Sequence, residues 1–190
     1  MRGVLAVVLV GCATATTPNA GQPDAPRGPG DAPRARDGDV PIDGPIASGC
    51  ASGQTCSGAA SLGTVSGDTG ADTQQGSGYQ SAWYSVRVTE NDSSVFAVPM
   101  NLTVSLTSPP GSNFDLYVYV DTGTDDVDCT TVTGSSTRTS GVDSVHLTWG
   151  ETGTFANGSD DSRTVSIEVR AVTTSCSAGA TWQLSVAGDE

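Results

Sequence analysis

From residue 83 to residue 186 the chain repeatedly alternates apolar and polar side chains. Tyr84, Val86 and Val88 interleave with Trp83, Ser85 and Arg87, and Leu102, Val104 and Leu106 with Thr103, Ser105 and Thr107. Phe114, Leu116, Val118 and Val120 alternate with Asp115, Tyr117 and Tyr119. Val145, Leu147 and Trp149 then flank His146 and Thr148, and Val165, Ile167 and Val169 flank Ser166 and Glu168. Trp182, Leu184 and Val186 close the series, and Leu62 to Val65 is a weaker member at its start. A period of two in β-branched and aromatic residues predicts half-buried strands. Gly67-Asp68-Thr69-Gly70, Pro109-Pro110-Gly111, Asp121-Thr122-Gly123 and Ser177-Ala178-Gly179 separate the runs as turns. No segment carries a helical stripe. Six or seven short strands, each with one apolar face, predict an all-β fold of two antiparallel sheets packed face to face, with a small barrel as the alternative closure. The polar, acidic stretch 151–163 is expected to be an exposed loop.

The pattern is absent before residue 48. Residues 12–47 hold seven of the ten prolines, no aromatic residue and a short repeat, Asp24-Ala25-Pro26 and Asp31-Ala32-Pro33. Such a segment buries too little surface to offset chain entropy and is expected to be a disordered linker. Its proline content gives a reach of up to about 100 Å at ~3.1 Å per residue. The sandwich domain is therefore assigned to 48–190.

Residues 1–11 have a different character. Arg2 precedes an unbroken apolar run from Val4 to Val10, too short to span a bilayer as a helix but of signal-peptide length. The run ends in Leu9-Val10-Gly11-Cys12, which resembles the lipobox of bacterial lipoproteins. That resemblance implies diacylglycerol transfer to the Cys12 sulfur, cleavage before Cys12 and acylation of the new amine. Ala13 rather than Asp follows the cysteine, which in the lipoproteins it resembles favours the outer membrane. Stable anchoring takes more than one acyl chain, a condition a triply acylated Cys12 meets.

Composition narrows the partners. The formal net charge is −13, and all eight basic residues are Arg. So acidic a surface repels nucleic acid and anionic lipid headgroups, while favouring solubility or cations.

With Cys12 lipidated, Cys50, Cys56, Cys129 and Cys176 remain, and an exported chain meets an oxidising compartment. Four cysteines allow three connectivities. The expected pairs are Cys50–Cys56, local neighbours before the first strand, and Cys129–Cys176. Chain entropy assigns them stabilisations of about 2 and about 4 kcal/mol respectively. Zinc is a poor competitor, since Cys50-x5-Cys56 with one distant His lacks paired ligand spacing.

Candidate chemistry is sparse. His146 is the single histidine, mid-strand and facing away from Val145 and Leu147, so it is expected on the solvent side rather than as a catalytic base. There is no Gly-x-Ser-x-Gly elbow. Asp115 and Glu168 lie on separate strands, and nothing in their spacing brings them together as a glycosidase pair. The acidic run Asp121, Asp125, Asp126 and Asp128 is the leading calcium candidate, though it does not follow EF-hand spacing; Asp68 with Asp72 is the second. Trp83, Tyr117 and Tyr119 are predicted on strand faces opposite the apolar stripes. There they either stack on sugar rings or form a second apolar layer under a loop, and packing is the favoured alternative.

The order of these pieces resembles the bacterial pre-peptidase C-terminal domain, a jelly-roll-like β-sandwich. The resemblance spans residues 60–187. It is carried by Gly67-Asp68-Thr69-Gly70, Ser81-Ala82-Trp83-Tyr84-Ser85-Val86, Leu102 to Leu106, Pro110 to Tyr119 and Trp182 to Val186. The family's Gly-x-Tyr-Tyr strand is replaced by Ser162 to Val169. The resemblance implies a non-catalytic accessory or binding module of secreted peptidases or surface proteins, some of whose relatives bind calcium or extracellular polymers. The expectation for the whole chain is thus a monomeric, lipid-anchored envelope module, not an enzyme. It would contact a polysaccharide or protein and have no cofactor beyond calcium. The alternatives are a structural envelope lipoprotein without a ligand and a calcium-stabilised accessory domain of a secreted peptidase system.

Overall fold

The computed structural model describes residues 49–155, 158–172 and 175–189. The expectations for the signal peptide, Cys12 and the linker lie outside the described residues. Within them the chain forms nine strands: β1 (Ala60–Ser66), β2 (Thr73–Gly78), β3 (Ala82–Thr89), β4 (Met100–Thr107), β5 (Phe114–Tyr119), β6 (Gly134–Ser136), β7 (Val142–Trp149), β8 (Arg163–Ala171) and β9 (Trp182–Gly188). One short 3-10 turn, Cys56–Gly58, precedes β1.

The strands make two sheets, of order β1-β3-β8-β5-β6 and β2-β9-β4-β7. Successive strands mostly alternate between the layers, so hydrogen-bonded neighbours are usually distant in sequence. The predicted stripes form the filling. Val86 and Val88, Leu116 and Val118, and Val165, Ile167 and Val169 come from the first sheet; Leu102, Val104, Leu106, Leu184 and Val186 come from the second. Removing such side chains from water is the principal favourable term holding the layers together.

The all-β, two-sheet prediction holds, with two differences in detail. β1 pairs with β3 in parallel, with an irregularity between Ser61 and Gly63, whereas the other pairs are antiparallel. A two-residue hairpin cannot make such a pair; here β2, in the other sheet, intervenes along the chain. The second difference is β2 and β6, neither of which the periodicity predicted. β2 reads Thr-Gln-Gln-Gly-Ser-Gly and has no apolar residue.

Trp182 explains part of β2's composition. Its side chain is fully buried, its ring meets Tyr84 and Phe114 edge-on at centroid distances of 6.0 and 6.3 Å, and its Nε1 donates to the Gln80 carbonyl at 3.0 Å. A Cβ at Gly78 would lie 2.5 Å from its Cζ2. A similarly close approach fixes Gly188, where a Cβ would lie 1.8 Å from the Ser66 carbonyl oxygen.

The disulfide pairing differs from the expected one. Cys50 bonds Cys176, and Cys56 bonds Cys129. Cys50 and Cys56 are near in sequence, but the segment between them runs along the sheet edge. Ser81 N donates to the Cys50 carbonyl, and Trp83 N donates to Gln54 Oε1. The two cysteines thereby reach different loops, and each bridge closes a long loop, 126 and 73 residues in separation.

Candidate functional site

β5 and β8 are buried on both faces, which locates the most elaborate chemistry of the fold. Their outward residues meet those of β3 in register. Trp83 stands beside Glu168, which stands beside Tyr117; Ser85 stands beside Ser166, which stands beside Tyr119; Arg170 stands beside Asp115. The three aromatics predicted for this face are therefore brought together. The Trp83 and Tyr119 rings are 5.2 Å apart at a tilt of 34°. Two of the three are covered, with Tyr117 at 9 % and Tyr119 at 4 % exposure, while Trp83 is half-buried.

The polar groups among these rings satisfy one another. Tyr119 donates its hydroxyl hydrogen to Glu168 Oε2 at 2.8 Å. Arg170 donates from Nε to Glu168 Oε1 at 3.1 Å and from a terminal nitrogen to Oε2 at 2.7 Å, and its guanidinium lies 4.1 Å over the Tyr117 ring. A buried carboxylate is tolerable only when paired and hydrogen-bonded in this manner. Burial, and then the bonded Glu168 charge, raise the Tyr119 hydroxyl well above its ordinary value. Burial and the Asp143 charge raise Asp115 against the opposing pull of Arg170. Asp115 and Glu168 thus sit in one layer, but Glu168 is committed to Arg170 and Tyr119.

The loop after β5 closes over part of this face. Asp125 pairs with Arg87 of β3, and Cys129 is bonded to Cys56. The four aspartates predicted for calcium lie in this loop, Asp125 engaged by Arg87 and the other three by groups of the loop itself. Asp121 accepts from Gly123 N, Thr124 N and Thr124 Oγ1, bonds that hold its carboxyl below the usual range. Asp126 accepts from Thr124 Oγ1, and Asp128 accepts from Thr130 N, Thr130 Oγ1 and Thr131 N. The Arg87 hydrogen bond lowers Asp125. Of the second candidate pair, Asp68 is buried and accepts from Ser66 Oγ, Asn91 N and Asp92 N, while Asp72 accepts weakly from Ser66 N.

Among the described residues, the carboxylates that converge are Glu90, Glu151 and Asp161, within 4.8 Å of one another. Burial, then neighbouring negative charge, raises Asp161; burial raises Glu90 in part against the Asp161 N–H it accepts. Arg163 relieves the group only partly, through a 3.3 Å contact to Asp161. The stretch 151–163 is accordingly less exposed than predicted: Glu151, Ser162 and Arg163 are buried at its ends. Sequence reasoning had no access to this trio, because Glu90 and Asp161 come from segments 71 residues apart.

His146 lies exposed on β7. Its Nδ1 is 3.1 Å from Thr103 Oγ1 and its Nε2 3.4 Å from Thr148 Oγ1, so its described polar neighbours are threonine hydroxyls rather than a serine and a carboxylate.

No family model matches the chain, and no curated protein matches it. A search of solved structures finds similarity to the pre-peptidase C-terminal domain of a collagenase from Bacillus anthracis. The two are 12 % identical, with a TM-score of 0.40 over 67 % of this chain and 95 % of that one.

Proposed function

We propose that the protein is an exported, non-catalytic accessory module that binds a polysaccharide or protein of the cell envelope. In this reading Cys12 carries the lipid, the anchor lies in the outer membrane, and residues 12–47 hold the sandwich away from it. The observation that carries the proposal is the pair of long-range disulfides, Cys50–Cys176 and Cys56–Cys129. Both clip the segment just before β1 onto distant loops, one between β8 and β9 and one between β5 and β6. Such bridges persist in oxidising compartments and are rare in the cytosol. The surroundings of His146 and the mutual engagement of Glu168 and Arg170 support a structural use of these groups over a catalytic one.

Mass spectrometry of the mature chain, with membrane fractionation, tests the reading. The expected product begins at an acylated Cys12 and stays with the outer membrane. An unmodified mature N-terminus elsewhere would end the anchor proposal, and reproducible turnover of any substrate would end the non-catalytic one.

A second reading, a calcium-stabilised accessory domain, draws support from Glu90, Glu151 and Asp161. Oxygen-only ligand sets suit this cation. It predicts a calcium-dependent rise in melting temperature that Glu151→Gln abolishes; a rise of equal size in that variant, or no rise in the parent, would remove it.

A further inference from the structure

A cleft of about 370 Å³ opens beneath the Cys56–Cys129 bridge, on the outer face of the five-stranded sheet. Its floor is made of hydroxyls: Ser85 of β3 and Thr164 and Ser166 of β8. Ala59, Val127 and the disulfide supply the apolar walls. Ser166 Oγ, on a residue only 1 % exposed, has no hydrogen-bond partner. Buried polar groups in folded proteins nearly always have partners, so an unpartnered hydroxyl lining a cavity marks a place where a ligand can supply one.

The geometry points to this cleft as the binding site for a single neutral sugar residue. The inference rests on the reading of the protein as a binding module, and it names the ligand class. No charged side chain lines the cleft; Arg87, which donates from a terminal nitrogen to the floor hydroxyl Thr164 Oγ1 at 3.2 Å, is neutralised by Asp125. The net charge of −13 disfavours an anionic polymer. Hydroxyls on one side and apolar surface on the other match a pyranose, which carries polar groups at its rim and C–H bonds on its faces. The volume falls at the lower end of the range for small-molecule pockets, roughly 300–1,000 Å³. Trp83 stands two positions before Ser85 on the same face of β3 and is half-buried, so a second ring of the same chain has an aromatic surface beside it.

The test titrates the isotope-labelled, disulfide-bonded full chain with the methyl glycosides of glucose, galactose and N-acetylglucosamine, with glucuronate as the charged control. The expected result is saturable amide shifts at Ser85, Val127, Thr164 and Ser166 with at least one neutral glycoside and none with glucuronate. Ser166→Val, which replaces the hydroxyl with a larger apolar group at the cleft floor, is expected to weaken binding by about tenfold or more. Ser166→Ala, nearly isosteric, keeps the question open to measurement if the valine variant misfolds, and is expected to weaken binding severalfold. No shift with any neutral glycoside, or equal binding by a folded Ser166 variant, overturns the inference. Shifts that cluster elsewhere, such as at the exposed Phe96 and Phe155, whose rings lie 5.4 Å apart, also overturn it while leaving a binding module in place. Hydrolysis of a glycoside would instead defeat the non-catalytic reading itself.

Discussion

Gly78 and Trp182 are paired across β2 and β9, and the indole occupies the space a side chain at Gly78 would need: an added Cβ would lie 2.5 Å from Cζ2. Gly78→Ala is therefore expected to destabilise by about 1–3 kcal/mol through overpacking. Trp182→Leu alone is expected to cost about 3 kcal/mol as a large-to-small core change. Together they should cost less than their sum, since the smaller side chain makes room for the methyl group. Denaturant midpoints of the two single variants and the double variant give the coupling; strict additivity would show that the two residues do not share this space.

The same pair shows why β2 was invisible in the sequence while most other strands were legible. Alternation reports a strand only when its inward positions carry apolar side chains. At β2 the inward positions are Gln74, Gly76 and Gly78, none of them apolar, and the volume beside the two glycines is supplied from outside by Leu62, Tyr84 and Trp182. β5 was legible on both faces, as Phe114, Leu116 and Val118 inside and Tyr117 and Tyr119 outside. The partnership of β1 with β3, the true disulfide pairs and the Glu90–Glu151–Asp161 trio depend instead on how the chain crosses between sheets. That is settled by packing over long sequence separations, and spacing along the chain does not encode it.

The buried group around Glu168 yields a second expectation. Arg170→Leu leaves a charged carboxylate in a covered layer with only the Tyr119 hydroxyl, and loss of one partner of a buried pair costs about 3–5 kcal/mol. Tyr119→Phe removes one neutral donor to a charged acceptor and should cost about 1.5–3 kcal/mol. Chemical unfolding at neutral pH measures both; an Arg170→Leu variant as stable as the parent would mean the pair contributes nothing net.

Tyr119 also sets an alkaline limit. Its hydroxyl is held neutral by burial and by Glu168, so the folded chain keeps this proton more tightly than the unfolded chain. Stability is then full below the ordinary tyrosine value of about 10 and falls as the pH rises through it. Absorbance titration should show Tyr119 ionising last of the four tyrosines, in a late step that accompanies unfolding and follows Tyr84, which burial alone raises. Tyr119→Phe should abolish that late step.

The carboxylate trio predicts the opposite dependence on acid from an ordinary salt bridge. Glu90 and Asp161 are raised by burial and by like charge, so the folded state holds their protons more tightly and the repulsion is relieved as pH falls. In the presence of a chelator, Glu151→Gln should therefore raise the melting temperature at neutral pH, by an amount equivalent to about 1 kcal/mol or less for partly solvated groups. The gain should shrink as the pH drops through the carboxylate range. A loss at neutral pH would show that the charged acceptor Glu151 offers to the Gly158 N–H outweighs the repulsion.

The disulfides set the scale of stability. Chain entropy assigns each bridge about 4–5 kcal/mol, comparable with the whole net stability of a small domain. Peptide mapping of the non-reduced protein isolated from its native cells tests this arrangement most directly. The expected map has one linked pair containing Cys50 and Cys176 and another containing Cys56 and Cys129, with both bridges complete. A Cys50–Cys56 link, or four free thiols in the native protein, would contradict it.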